Sequence, residues 1–333
     1  METWKTNKDG LVFRSYTGEA DLPELVSVFN ASSQADKADW VTNLVEMSKE
    51  YQPGEHFDPQ RDSVLVERDG RLVAFGEVRH YYQQESGSWQ HRVDGLVRPD
   101  WRGHGIGSAL LEQLRGVCAG LAESGQSEVG HRLHTYAWGT QTARLAFLEA
   151  AGFSPVEFMY SMTRTNLNEI TITDLPEGLQ TRAVLRSDAR DLWNLFNEAF
   201  LDHPGFFRQN EADFLEWESS SYFDPELCVA AWEGERMVGM VINHIDAVEN
   251  REMRRERGYL MRIATLREWR KRGVARALIG HSLKLLNQKG CNEAALRVNV
   301  RNPTGALHLY ESLGFVVTSQ LKIMEMDLKA GLP

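Results

Sequence analysis

The chain has 333 residues, 42% hydrophobic and 25% charged, a globular balance long enough for about two domains. Lys plus Arg number 37 against 47 Asp plus Glu, a net charge of −10, which disfavours a nucleic-acid binder because that affinity needs many phosphate-neutralising cations. Cys118, Cys228 and Cys291 lie far apart with no CxxC pair, so neither a disulfide framework nor a metal site is expected, and a reducing cytoplasm fits. The polar start lacks a signal-peptide core, and the longest apolar runs, such as Leu227 to Trp232, are too short to cross a membrane.

In chain order, Phe13-Arg14 leads to a helical run at Leu25 to Asn30. Ser63–Arg68 and Leu72–Val78 alternate around Asp69-Gly70 and predict a tight hairpin. A third strand is expected over Gln90–Val97. Ile106, Leu110, Leu114, Val117 and Leu121 then fall at helical spacing. A strand over Arg132–Trp138 precedes a helix ending at Gly152, where glycine suits a left-handed C-terminal turn. The polar stretch Thr165 to Gly178, with Pro176, reads as a linker. After it, Thr181-Arg182 leads to Leu192 to Asn197, and Leu227–Trp232 pairs with Met237–Asn243 across Glu233 to Arg236. Strands over Gly258–Thr265 and Glu293–Val300 flank a helix carrying Val274, Leu278, Ser282 and Leu285, and a last helix ends at Gly314. The pattern is mixed α/β, stated twice.

The repeat is explicit at the residue level. Trp101, Arg102 and Gly105 match Trp269, Arg270 and Gly273, and Phe147 to Phe153 lies over Leu309 to Phe315. In each half a strand feeds a loop that opens a helix. Backbone N–H groups at a helix start have no intrahelical partner and face the positive end of the dipole, so such a loop can cradle a phosphate. Gly105 and Gly107, or Gly273 and Ala275, allow close approach to the main chain. Arg251 to Arg276 also holds ten Arg or Lys against three Glu, a basic strip on an acidic protein. Neither loop is a Walker loop, and neither sits early in a dinucleotide-binding βαβ unit.

Arg102-Gly103-His104-Gly105-Ile106-Gly107 and Arg270-Lys271-Arg272-Gly273-Val274-Ala275 resemble the acetyl-CoA signature of the GNAT family of N-acetyltransferases. The run Asn302 to Phe315 is similar to that family's N-x-x-A-x-x-x-Y-x-x-x-G-F helix. The resemblance implies two tandem GNAT (acyl-CoA N-acyltransferase) domains with mixed sheets, placed at 1–167 and 177–333. It implies acetyl-CoA as cosubstrate, in the gap between the fourth and fifth strands of a domain. The pyrophosphate would lie on the amides of Lys271, Arg272, Gly273, Val274 and Ala275, with Ala264 and Thr265 offering strand-edge groups to the pantetheine arm and Asn302 touching it. Val97, Arg102, Gly103, His104, Gly105, Ile106 and Gly107 are the first-half counterparts, and Arg270 matches Arg102.

Tyr310 matches the family tyrosine that protonates the departing thiolate, whereas the first half has Leu148 there and Thr140 in place of Asn302. The layout is similar to mycothiol synthase-like two-domain acetyltransferases, which implies catalysis in the C-terminal domain. The family's base is often a Glu near the start of the fourth strand. The matching positions here are His91 and Tyr259, with His244, Asp246 and Glu216 as other candidates, so no base is assigned. Aromatic residues from Phe206 to Phe223, interleaved with acids, suit a cationic amine but equally form a core with a solvated acidic face. The expected activity is transfer of acetyl to a primary amine of a small molecule or protein. The competing expectation is a CoA-binding sensor or scaffold with degenerate catalysis.

Overall fold

The computed structural model describes residues 10–38, 41–83, 87–123, 130–201, 206, 208–220, 222–300 and 305–328. The chain forms two compact units: Met1–Phe158 with Leu321–Pro333, and Met159–Gln320.

The first unit opens with β1 (Val12–Arg14), α1 (Leu22–Ala35), α2 (Leu44–Glu50) and the short α3 (Pro59–Asp62). Then come β2 (Ser63–Arg68), β3 (Arg71–Gln83), β4 (Ser88–Val97), α4 (Ile106–Glu123), β5 (Gly130–Trp138), α5 (Thr142–Ala150) and β6 (Ser154–Thr165). Asp69 and Gly70 take φ of 51° and 75°, the left-handed pair that a two-residue hairpin turn requires. Strands β1 to β4 pair antiparallel in order, and β4 pairs parallel with β5 from Ser88 to Arg92.

The second unit repeats this plan. It holds β7 (Gln180–Thr181), α6 (Ala189–Ala199), α7 (Glu211–Ser219), β8 (Cys228–Glu233), β9 (Arg236–His244) and α8 (Ala247–Glu252). They are followed by β10 (Arg257–Thr265), α9 (Val274–Gln288), β11 (Glu293–Asn299), α10 (Ala306–Ser312) and β12 (Val316–Asp327). Strands β7 to β10 pair antiparallel, and β10 pairs parallel with β11 from Arg257 to Tyr259.

The sequence boundaries at 167 and 177 differ from the compact units. The chain changes unit inside β6 and again inside β12. The Met159–Thr165 part of β6 pairs with β11, and the Leu321–Asp327 part of β12 pairs with β5. The sixth strand of each unit is therefore supplied by the other half of the sequence. Nor is the polar stretch after Thr165 a free linker: Leu167 is buried in the second unit's core, and Ile170, Leu175 and Leu179 pack on it.

Helices pack on the sheets to form the cores, and in the first unit they cover both faces, Leu25 and Val28 of α1 meeting Leu65 and Phe75 on the face opposite α4. In the first unit Val78, Val93 and Leu133 meet Ile106, Leu110, Leu114 and Val117 of α4. In the second, Val238, Met240 and Leu260 meet Val274, Leu278 and Leu286 of α9. Glycines allow the close approach. A Cβ on Gly76 would lie 2.8 Å from the Asp94 carbonyl oxygen and 2.6 Å from Leu114 Cδ1. The backbone oxygen cannot swing aside, so Gly76→Ala is expected to destabilise the fold by about 1–3 kcal/mol. Urea unfolding checks this, and an unchanged midpoint would contradict it.

Candidate active site

The two helix-opening loops have the same build. After β4 a short 3₁₀ turn over Pro99–Trp101 leads to Arg102, whose Nε donates to the Val97 carbonyl at 3.2 Å. After β10 the turn Arg267–Trp269 leads to Arg270, whose Nε donates to the Thr265 carbonyl at 3.2 Å. Both arginines brace the strand-to-loop corner. Arg102 also meets the Asp36 carboxylate at 2.5 Å, and Arg270 donates to the Ala199 carbonyl at 2.6 Å. Gly103 and Lys271 occupy the same left-handed position, with φ of 80° and 60°, and Gly105 and Gly273 share the next, with 77° and 90°. An ordinary side chain resists this conformation, so Lys271 stands where its counterpart is glycine.

Helix α9 begins at Gly273, which supplies no side-chain cap. The Gly273 carbonyl accepts from the Ala277 N–H at 3.0 Å, leaving the amides of the first turn without an intrahelical acceptor. Val274 is buried beneath the loop, Arg272 lies over the Trp269 ring at 4.9 Å, and Arg276 donates to Ser312. In the first unit Gly105 plays the same part toward Ala109 at 3.1 Å. Ile106 is buried and His104 is exposed, its Nδ1 donating to the Arg102 carbonyl at 3.0 Å.

In both units the parallel strands part just before the loop. Beyond Arg92 the β4–β5 pairing stops, and beyond Tyr259 the β10–β11 pairing stops. A register shift between Leu260 and Arg262 bulges β10 away from β9 at the same level, a device common beside active sites. Ala264 is buried, and Thr265 Oγ1 is buried with no hydrogen-bond partner among the described residues.

Tyr310, on α10, is 8% exposed, and its ring packs edge-on against Phe315 at 6.1 Å. Its hydroxyl makes no hydrogen bond to any described residue. Burial pushes its pKa up to about 12, so at neutral pH the phenol keeps its proton. Asn302 lies outside the described residues.

The first unit carries a cleft of about 820 Å³ in the same place. Val97, Arg102, Gly103, Gly105 and Gly107 line its loop end, with Gly95, Thr135 and Arg144 farther along the strands. Thr140 and Leu148 also face it, and Leu148 cannot donate a proton. Cleft size therefore does not mark the reactive unit. The corresponding part of the second unit includes residues 301–304, outside the described set.

The candidate bases separate on geometry. His91 is 1% exposed, stacked on His131 with Nε2 to Nδ1 at 2.9 Å, and burial with that neighbour lowers its pKa to about 4. It is a neutral core residue, on the sheet face that carries α4. Asp246 caps α8, accepting from Val248 and Glu249 N–H at 2.9 and 2.8 Å. His244 lies 4.7 Å from the Tyr222 ring, and Glu216 is exposed on α7. A carboxylate missed in the sequence does reach the start of β10: the Tyr259 hydroxyl donates to Glu249 Oε1 at 2.5 Å and accepts from Arg255 at 2.9 Å. Burial and Glu249 together push the Tyr259 phenol up, so it too stays neutral. No spacing motif pointed to Glu249, because it arrives on α8 between two strands.

Of the aromatic segment, Phe214, Trp217 and Phe223 are core, with Trp193 stacked on Trp217 at 5.4 Å. His203 and Phe207 lie outside the described residues. Arg262 sits among Trp193, Phe196 and Trp217, 4.3 Å from the Phe196 ring. No group of His, Cys, Asp or Glu suited to a metal occurs among the described residues, and no described helix is long and apolar enough to cross a membrane.

The acetyltransferase (GNAT) family model matches residues 189–315, and a second GNAT acetyltransferase domain model matches residues 59–155. A mycothiol acetyltransferase of Streptomyces scabiei is 30% identical over 224 residues, covering 66% of this chain and 67% of that protein. Another, of Kocuria rhizophila, is 26% identical over 301 residues, covering 84% and 94%. A crystal structure of a GCN5-related N-acetyltransferase from Sphaerobacter thermophilus shares the fold with a TM-score of 0.75, at 24% identity over 97% of this chain and 98% of that one. A tandem GNAT protein from the clavulanic acid biosynthesis pathway shares it at 0.67, with 14% identity over 97% and 100%. With one domain model in each half, the chain belongs to the GNAT family of acetyltransferases.

Proposed function

We propose that the second unit carries out acetyl transfer from acetyl-CoA to the primary amine of a small molecule. The amides of Lys271 to Ala275 would hold the pyrophosphate, and Ala264 and Thr265 would hold the pantetheine arm along β10. The observation that carries the assignment is Tyr310: a buried, protonated phenol with no partner among the described residues, at the position matching Leu148, which lines the first unit's cleft. The mycothiol acetyltransferase relatives favour a small-molecule acceptor over a protein.

The neutral amine attacks the thioester carbonyl carbon, a C–N bond forms, and its surplus proton leaves to water or a base. As the C–S bond breaks, the electron pair goes to sulfur, and Tyr310 gives its proton to the departing thiolate. A phenol held neutral by burial is in the correct state for that step. In the first unit, Leu148 leaves the cleft able to bind a coenzyme A but not to protonate a leaving group.

The test is mass spectrometry of reactions holding the purified chain, acetyl-CoA and a panel of primary amines. Acetylated amine is expected in a 1:1 ratio with released coenzyme A. Coenzyme A release without any acetylated product, or no turnover on any amine, would contradict the assignment.

A further inference from the structure

The cleft of the first unit holds a cation with no ion pair to any described residue, Asp94 and Asp36 acting on it only from a distance. Arg144, on α5, reaches back between the parted strands. Its Nη1 donates to the Gly95 carbonyl of β4 at 2.7 Å, its Nε to the Tyr136 carbonyl of β5 at 3.0 Å, and its Nη2 to Thr135 Oγ1 at 3.0 Å. It forms no ion pair with any described residue, although it lines the cleft. A guanidinium carries five N–H donors, so three such bonds leave two free. The cleft it lines also has apolar wall residues, among them Val93, Leu110, Leu114 and Phe153. Burial lowers its pKa, the cost of a desolvated cation.

The position along the cleft matters. The loop glycines lie beyond Val97. At about 3.4 Å per residue, Gly95 is roughly 7 Å back along β4 and Val93 roughly 14 Å back. Arg144, bonded to Gly95, therefore sits partway along the cleft, about 7 Å back from Val97, with Val93 beyond it. The fold does not require an arginine there. In the repeat, with Leu148 matched to Tyr310, the counterpart of Arg144 is Ala306, and α10 forms with alanine in that place.

We propose that the first unit's cleft binds a coenzyme A thioester whose acyl group ends in a carboxylate, with Arg144 as the receptor for that carboxylate. The inference rests on reading this cleft as a coenzyme A site. A neutral acetyl tip would leave the guanidinium unpaired, whereas a carboxylate makes charge-assisted hydrogen bonds to its free N–H groups. Arg102 cannot play this part, because it is at the loop end and already holds Asp36.

The experiment uses the full chain carrying Gly273→Glu, which closes the second cradle. Calorimetry compares succinyl-CoA with butyryl-CoA, which has the same four carbons and no carboxylate. Succinyl-CoA is expected to bind ~10-fold or more tightly, as hydrogen bonds to a charged group give. Adding Arg144→Gln is expected to erase that difference, and Arg144→Lys to retain part of it. Equal affinities with Arg144 intact would overturn the inference, and that comparison needs no further mutation. A preference surviving Arg144→Gln would also overturn it. Failure to bind either thioester would overturn the reading of the cleft as a coenzyme A site, and the inference with it.

Discussion

Gly273→Glu is expected to weaken acetyl-CoA binding at the second unit by about 100-fold or more. Gly273 has φ of 90°, a conformation costing a side chain about 1–2 kcal/mol. It also opens α9, whose first amides make the proposed cradle. A carboxylate there repels the pyrophosphate and competes for the same N–H groups. Each hydrogen bond to a charged group is worth about 1.5–3 kcal/mol, so losing two accounts for a 100-fold change or more. No heavy atom beyond its chain neighbours lies within 4 Å of a Cβ built on Gly273, so the substitution meets no packing clash. Calorimetric titration checks this, and wild-type affinity at every site would remove the cradle from the mechanism.

Tyr310→Phe is expected to lower kcat by about 10²–10⁴-fold while acetyl-CoA affinity changes little. General-acid assistance has that range, which is about 3–5 kcal/mol of barrier. The substitution isolates the hydroxyl. The phenylalanine ring retains the edge-on contact with Phe315, and no hydrogen bond to a described residue is lost. The thermal midpoint should therefore hold, and a fall in kcat is then chemical rather than structural. Steady-state kinetics at saturating amine, beside a melting curve, separate the two. An unchanged kcat would mean that the thiolate leaves without this proton.

Much of the fold was legible because its signals are local. The alternation around Asp69-Gly70 fixes a hairpin, and the matched Trp, Arg and Gly landmarks fix two equivalent loops. Gly103 over Lys271 and Gly105 over Gly273 repeat even in φ. The assignment of β6 and β12 to units was not legible. A strand's alternation sets which residues face the core, not which partner strand it pairs with. The bulge at Leu260 to Arg262 was hidden for the same reason, since a register shift depends on both strands. Arg144 could have been found: extending the repeat by four residues from Leu148 places an arginine where the other half has Ala306. Glu249 could not, because its meeting with Tyr259 depends on how α8 folds back over β10. His91 matched the position of a base by alignment, yet the pair it makes with His131 marks it as core.

The assignment of chemistry to the second unit is tested most directly by the turnover of the Gly273→Glu chain. The measurement is the rate of acetyl transfer at the acetyl-CoA concentration that just saturates the first unit's site and leaves the weakened second site unsaturated. Because Leu148 offers no proton to a leaving thiolate, turnover at that concentration is expected to fall by about 100-fold, in step with the second unit's loss of affinity, even with the first cleft filled. A rate equal to that of the unmodified chain at that concentration would place the reaction in the first unit and contradict the role given to Tyr310.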